Sequence, residues 1–358
     1  MIYINNYIFE LNNKDITKLK CQSTHNTKKT ISLNIAAEKP ADSTKISNIV
    51  AAGNQALHLK RSSYNLKGET LGRRYYMLNI IQEKKYTVIY QAKCLILNRY
   101  VMVEVLKQNN EVPLDEFIVY PELVKKFFAG NQALAAFNFP NVISVYDLGK
   151  EDDGIKYSVK EFVGNHATLA EKFKEKKNKP FSLNKTIRYT KQLIQIINSV
   201  YKNESFLHCD ICPENIFINQ NDEVMLNYTC LSFNELEIRN EVGFYRSAAV
   251  SSVLHENYNY VYPEREMCLQ SDMYSIGCIM YRMIFGHDIF SDERQEMSDL
   301  LMAHMTKSPD FPEGYNSNGK QRLIEIIKRL LNKKPGDRYS SYEELLTDFE
   351  KIHIGFFS

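Results

Sequence analysis

From Arg74 onward, short runs of β-branched and aromatic residues recur at 75–82, 86–94, 99–107, 142–148 and 156–162. Their length and spacing predict a five-stranded antiparallel sheet. One stretch with helical spacing, 117–137, interrupts it. Beyond 163 the period changes. Leu183, Ile187, Tyr189, Leu193, Ile196, Ile197 and Val200 recur three and four apart, which predicts a helix over 183–202 with one buried stripe. Further helices are predicted at 272–285, 296–305, 319–332 and 340–352. A strand-rich part followed by a helix-rich part is an α+β architecture, and the cleft between them is the natural ligand site. The first 70 residues are less regular, with possible strands at 6–12 and 31–36 and a break at 39–44. The expected organisation is an N-terminal extension over 1–70, packed on the main domain or forming a small accessory element. A strand-rich lobe over 71–162 and a helical lobe over 163–358 follow.

Composition narrows the classes. The chain has 358 residues, 44% hydrophobic and 25% charged, which excludes disordered and collagen-like readings. Forty-five basic against 43 acidic residues give a net charge of +2, so no global field draws nucleic acid or an anionic membrane. The basic run Lys172–Lys179 is interleaved with Glu and reads as a solvated helix end. No run approaches the ~20 apolar residues of a membrane helix. The amino terminus lacks the basic start and small-residue cleavage site of a signal peptide. Seven scattered cysteines read as reduced thiols, which predicts a cytoplasmic protein, with export to a host cell left open.

The motif His208-Cys-Asp210-Ile-Cys-Pro-Glu-Asn215 resembles the catalytic loop of the protein kinase superfamily, His-Arg-Asp-x-x-x-x-Asn. Five further stretches follow the family's order. Phe139-Pro-Asn-Val142 resembles the turn after the N-lobe helix, and Glu161-Phe-Val-Gly164 the hinge. Tyr262-Pro-Glu264 is similar to Ala-Pro-Glu, and Ser271-Asp272-Met-Tyr274-Ser-Ile-Gly277 to the start of the long C-lobe helix, with Tyr274 in a Trp position. Lys334-Pro-Gly-Asp-Arg338 matches Pro-x-x-Arg. The resemblance covers 74–354, and its C-lobe wording is similar to bacterial Ser/Thr kinases. It implies a two-lobed kinase-like fold. His208, Glu264, Asp272 and Arg338 are then scaffold residues, with Glu264 and Arg338 a buried ion pair and Asp272 capping the catalytic-loop backbone.

Kinase chemistry is positioning and neutralisation of phosphate charge, and here its parts are altered. The stretch Ile81-Gln82-Glu-Lys84-Lys-Tyr86-Thr87 lies where Gly-x-Gly-x-x-Gly stands in the family, with no Gly at its three glycine positions. It reads either as an ordinary hairpin tip or as a set of side chains, Gln82 and Lys84 among them, in the phosphate region. Glu104 aligns with the phosphate-pairing Lys. At about 4 Å and a dielectric near 20 that reversal turns roughly 4 kcal/mol of attraction into repulsion. Gly130 takes the place of the N-lobe helix Glu. Tyr228 takes the place of the magnesium-binding Asp, with Thr229 and Cys230 after it, and a register shifted by one puts Asn227 there. Of the catalytic loop, Asp210 and Asn215 persist. Lys160, at the gatekeeper position, is expected to pair with Glu104 across the pocket.

The favoured expectation is a pseudokinase, a kinase-fold module that acts by protein binding or allosteric regulation, with no cofactor and no metal. Protein partners are expected, no nucleic acid and no membrane span, and the oligomeric state is open. The alternative is a divergent kinase-fold transferase using ATP and Mg with Asp210 as base and Asn215 on the metal. A third reading takes Cys209-x-x-Cys212, with His208 and Cys230, as a redox or metal motif.

Overall fold

The computed structural model describes residues 2–4, 7–10, 18–23 and 32–34. From 61 on it describes all but 85, 112–119, 165–166, 230–232, 235–257, 265–266, 292–296, 313–317 and 353–358. The chain divides into two compact units, residues 1–60 and 61–358. The first holds an antiparallel sheet in simple meander order, β1 (Ile2–Ile4), β2 (Tyr7–Glu10), β3 (Lys18–Ser23) and β4 (Ser32–Asn34). The strands expected at 6–12 and 31–36 correspond to β2 and β4. β1 and β3 were not expected, and the extension is more regular than its sequence suggests. The break at 39–44 lies outside the described residues.

The second unit opens with a six-stranded antiparallel sheet, one strand more than predicted. Its members are β5 (Thr70–Leu71), β6 (Tyr75–Glu83), β7 (Thr87–Cys94), β8 (Arg99–Leu106), β9 (Val145–Lys150) and β10 (Lys156–Glu161), in the order β5-β6-β7-β8-β10-β9. β8 is central and buried on both faces. Val101, Val103 and Val105 point into a core with Tyr90, Val88 and Val159, while Met102 packs with Ile89, Ile143 and Phe217. Side chains of a strand alternate between faces, so Glu104 shares the face of Met102 and is 4% exposed. Helix α1 (Tyr120–Ala135) lies against the sheet and sends Leu123 and Phe127 into a cluster with Leu106 and Tyr86.

The helical lobe follows. Its helices are α2 (Leu169–Glu175), α3 (Leu183–Glu204), α4 (Leu269–Phe285), α5 (Met297–Thr306), α6 (Asn318–Leu330) and α7 (Tyr342–Glu350). The stripe predicted on α3 is buried from Ile187 to Val200, with Leu183 partly buried at its start. Ser182 caps its N-terminus by accepting from the Lys185 amide, and Ser205 ends it in the left-handed conformation. Lys172 pairs with Glu175 at 3.0 Å, so the basic run is partly neutralised within its own helix. Short strand β11 (Ala167–Thr168) precedes α2, and between α3 and α4 run β12 (Phe206–Leu207), β13 (Ile216–Ile218), β14 (Val224–Leu226) and β15 (Phe233–Asn234). β14 binds the two lobes, because the Leu226 amide donates to the Asn141 carbonyl and the Ile143 amide donates to that of Leu226. Among the described residues no helix is long and apolar enough to cross a membrane.

Candidate functional site

The loop 208–215 joins β12 to β13 and is held from below by α4. Asp272, in the first turn of α4, accepts the His208 amide at 2.9 Å and the Cys209 amide at 2.8 Å. Cys209 has a φ of 60°, a conformation that costs a non-glycine residue on the order of 1 kcal/mol. The carboxylate under its amide helps hold it there. Burial pushes Asp272 up to about 7, against the two amides that pull it down. Glu264 and Arg338 form a bidentate pair, Nη1 to Oε1 at 2.9 Å and Nη2 to Oε2 at 2.8 Å. The Arg338 side chain is fully buried and also donates to the carbonyls of Gln270 and Asn332. Tyr274 is buried, with His304 Nδ1 3.1 Å from its hydroxyl.

Within the loop, Asn215 Nδ2 donates to both the backbone oxygen and Oδ2 of Asp210, each at 2.8 Å. Both residues are fully buried. His208 Nδ1 accepts the Asp210 amide at 3.2 Å, and its Nε2 lies 3.1 Å from the Asn227 carbonyl. The loop residues named from sequence are therefore one hydrogen-bonded cluster.

The sheet supplies the roof of that cluster. Glu104 is registered opposite Ile89 on β7 and Ser158 on β10. Thr87 and Lys160 are its diagonal neighbours on the same face, within reach of long side chains. Lys160 Nζ sits 2.7 Å from Glu104 Oε2, and Thr87 Oγ1 donates to Glu104 Oε1 at 2.9 Å. A register shift in the β10–β9 ladder between Val159 and Lys160 falls at this lysine. Lys160 also donates to Asn227 Oδ1 and to the Tyr228 carbonyl, both at 3.1 Å. The side chains of Lys160 and Glu104 are 3% and 5% exposed, so the pair is desolvated and filled by the chain's own atoms. Burial alone would raise the Glu104 carboxyl, but Lys160 and Lys84 outweigh it and hold it down to about 2. A depressed carboxyl stabilises the fold above its unfolded value of about 4.5 and loses that contribution as pH falls towards the folded one. The stability gap between wild type and Glu104→Gln is therefore expected to stay flat from pH 8 to 5 and to shrink below 4.5, read as urea midpoints.

The hairpin between β6 and β7 is more than an ordinary tip. Tyr86 is 1% exposed and packs on Leu106, Leu123 and Phe127, so the turn is pinned to α1 and β8. Lys84 is 5% exposed, and its Nζ lies 2.5 Å from Asn215 Oδ1 across the cleft. Gln82 Nε2 reaches the Glu214 carbonyl at 3.5 Å.

One assignment needs correcting. Tyr228 does not face the cleft. Its ring is 1% exposed and packs on His208 at 4.5 Å and Phe206 at 6.0 Å between centroids. Asn227 is the residue whose side chain meets Lys160, so the register is the one shifted by one. An aromatic ring gains by leaving water, and an amide gains by meeting an ammonium. Tyr228 thus spends its ring on packing against the loop histidine. Gly130 is buried on α1 and brings no side chain to the cleft. Cys209 and Cys212 are buried thiols outside any disulfide, and burial pushes the Cys209 thiol up. Among the described residues no three His, Cys, Asp or Glu groups could hold a metal ion. Cys230 lies outside the described residues. Sequence reasoning gave Asn227 too little weight, and Tyr86 was not singled out.

Residues 81–349 match the protein kinase domain. The chain is 28% identical over 294 residues to a probable serine/threonine-protein kinase of Clostridium perfringens, covering 80% of this chain and 39% of the relative. It is 28% identical over 289 residues to a probable serine/threonine-protein kinase of Clostridium acetobutylicum, with 80% and 41% covered. It is 24% identical over 294 residues to the serine/threonine-protein kinase PrkC of Bacillus subtilis, again with 80% and 41% covered. The chain spans about two-fifths of the length of these curated relatives. The domain match runs through the strand lobe, the 208–215 loop and the Glu264–Arg338 pair, and by it this chain belongs to the protein kinase family.

Proposed function

We propose that this chain is a pseudokinase, a kinase-fold module that regulates or binds another protein and takes no ATP–magnesium in the usual way. The observation that carries the reading is the Glu104–Lys160 pair at 2.7 Å. It puts a carboxylate, already neutralised, on the strand where phosphate would need a cation. Lys84 adds to it. An ammonium 2.5 Å from Asn215 Oδ1 would repel a divalent cation by about 8 kcal/mol at 4 Å and a dielectric near 20. Magnesium prefers carboxylate and phosphate oxygens, and Asn227 offers an amide that is turned to Lys160. The donor set does not suit a magnesium–nucleotide complex, so no phosphoryl-transfer step is derived for it.

A protein partner is part of the proposal, and nucleic acid is not. A cytoplasmic setting suits Cys94, Cys209, Cys212, Cys268 and Cys278, which stand outside any disulfide. The second reading, a divergent transferase, is favoured by one observation, the intact Asp210–Asn215 hydrogen bond at 2.8 Å. Thermal denaturation with ATP and Mg²⁺ or Mn²⁺ separates the two. A ligand that binds only the folded state at 100 times its Kd stabilises by about 2.7 kcal/mol. The pseudokinase reading expects no rise in Tm at millimolar nucleotide. A metal-dependent rise that Asp210→Ala abolishes favours the transferase.

A further inference from the structure

We propose that the β6–β7 turn is an autoinhibitory latch, in which Lys84 fastens the strand lobe to the 208–215 loop and keeps that loop shut. The inference deepens the closed-cleft reading and rests on it. Three observations carry it. The lysine comes from one lobe and its acceptor, Asn215, from the other, 131 positions along the chain. The contact is buried, since Lys84 is 5% exposed and Asn215 fully so. The turn also has an anchor at each side. Tyr86 is inserted among Leu106, Leu123 and Phe127, and its carbonyl accepts the Lys107 amide at 2.8 Å. Lys107 in turn pairs with Glu83 at 3.1 Å.

Asn215 is the hub of the loop. Besides Lys84 it touches Asp210 Oδ2 and Cys212 Sγ, and its carbonyl accepts the Asn227 amide. Drawing the ammonium away leaves the amide oxygen of that hub without its cation. It also leaves Glu104 with one positive neighbour fewer. Withdrawal of the turn therefore loosens the loop and the roof together. On this view a partner or a modifying enzyme acts by moving the turn, and the exposed product of that movement is the segment 208–217.

Cys212 gives a direct readout. It is fully buried and 3.3 Å from Asn215 Nδ2, while Cys278 is buried in α4. Full-length wild type and Lys84→Met are labelled with a maleimide in the absence of nucleotide, and each cysteine is followed by peptide mass spectrometry. The expected result is at least a ten-fold faster labelling of Cys212 in Lys84→Met, with Cys278 unchanged and with protection recovered in Lys84→Arg. Equal Cys212 rates in Lys84→Met and wild type overturn the proposal. So does a parallel rise at Cys278, which marks global unfolding. A second measurement needs no variant. In wild type, amide hydrogen exchange of 82–86 and of 208–217 is expected to follow one common opening. Fast exchange at the turn with a protected loop overturns the latch. Because no nucleotide is present, either failure is distinct from a failure of the pseudokinase reading.

Discussion

Arg338→Met is expected to lower stability by about 3–5 kcal/mol, the loss seen when one half of a buried ion pair is removed. Arg338 is fully buried and makes five hydrogen bonds, two of them to Glu264. Its removal strands the Glu264 carboxylate with Ser271 Oγ as its remaining described donor, at 2.6 Å. It also strips the carbonyls of Gln270, Asn332 and Lys333 of a donor. The pair joins the segment before α4 to the turn before α7, and Arg338 also holds the Gln270 carbonyl in the first turn of α4, so the damage spreads to the element that carries Asp272. Tm should fall by roughly 6–20 °C for a domain of this size. Glu264→Met with Arg338→Met should lose less than Arg338→Met alone, because no charge is then left uncompensated. A double variant less stable than the single one would contradict the reading of Glu264 as a stranded charge.

Glu104→Lys carries the second large effect. It restores the residue type that the resemblance places on this strand, yet it sets a third ammonium beside Lys160 and Lys84. The carboxylate now accepts from Lys160 at 2.7 Å and from Thr87 at 2.9 Å, and both contacts are lost. A loss of about 3–5 kcal/mol is expected, of the order found when a buried charge loses its partner. Adding Lys160→Met removes one of the repelling groups and should recover part of it. Urea unfolding of the three proteins measures this directly. A single variant as stable as wild type would mean that water reaches the pair, which its burial argues against.

How much of this was legible in the sequence differs by region. The helical lobe read well, since the stripe on α3 and the Glu264 and Arg338 motifs each imply a buried partner. Glu104 was legible for a similar reason: alternation with Val101 and Val103 fixes its face. The β6–β7 turn was not. A turn has no period, so nothing in Gln82 to Tyr86 says whether the side chains face solvent or the opposite lobe. The register at Tyr228 slipped by one because no charged residue marked it, and only the packing of its ring on His208 decides. β3 was missed because Lys-Leu-Lys-Cys-Gln-Ser lacks the β-branched pattern of a strand. β5 was missed because two residues make no run.

The central claim is that the cleft is filled by Lys84, Glu104 and Lys160 and takes no magnesium nucleotide. Isothermal titration calorimetry of the whole chain with ATP, with and without Mg²⁺, tests it most directly. The account predicts no saturable heat up to millimolar ATP in either titration. A saturable, magnesium-dependent isotherm that disappears in Asn215→Ala would contradict it.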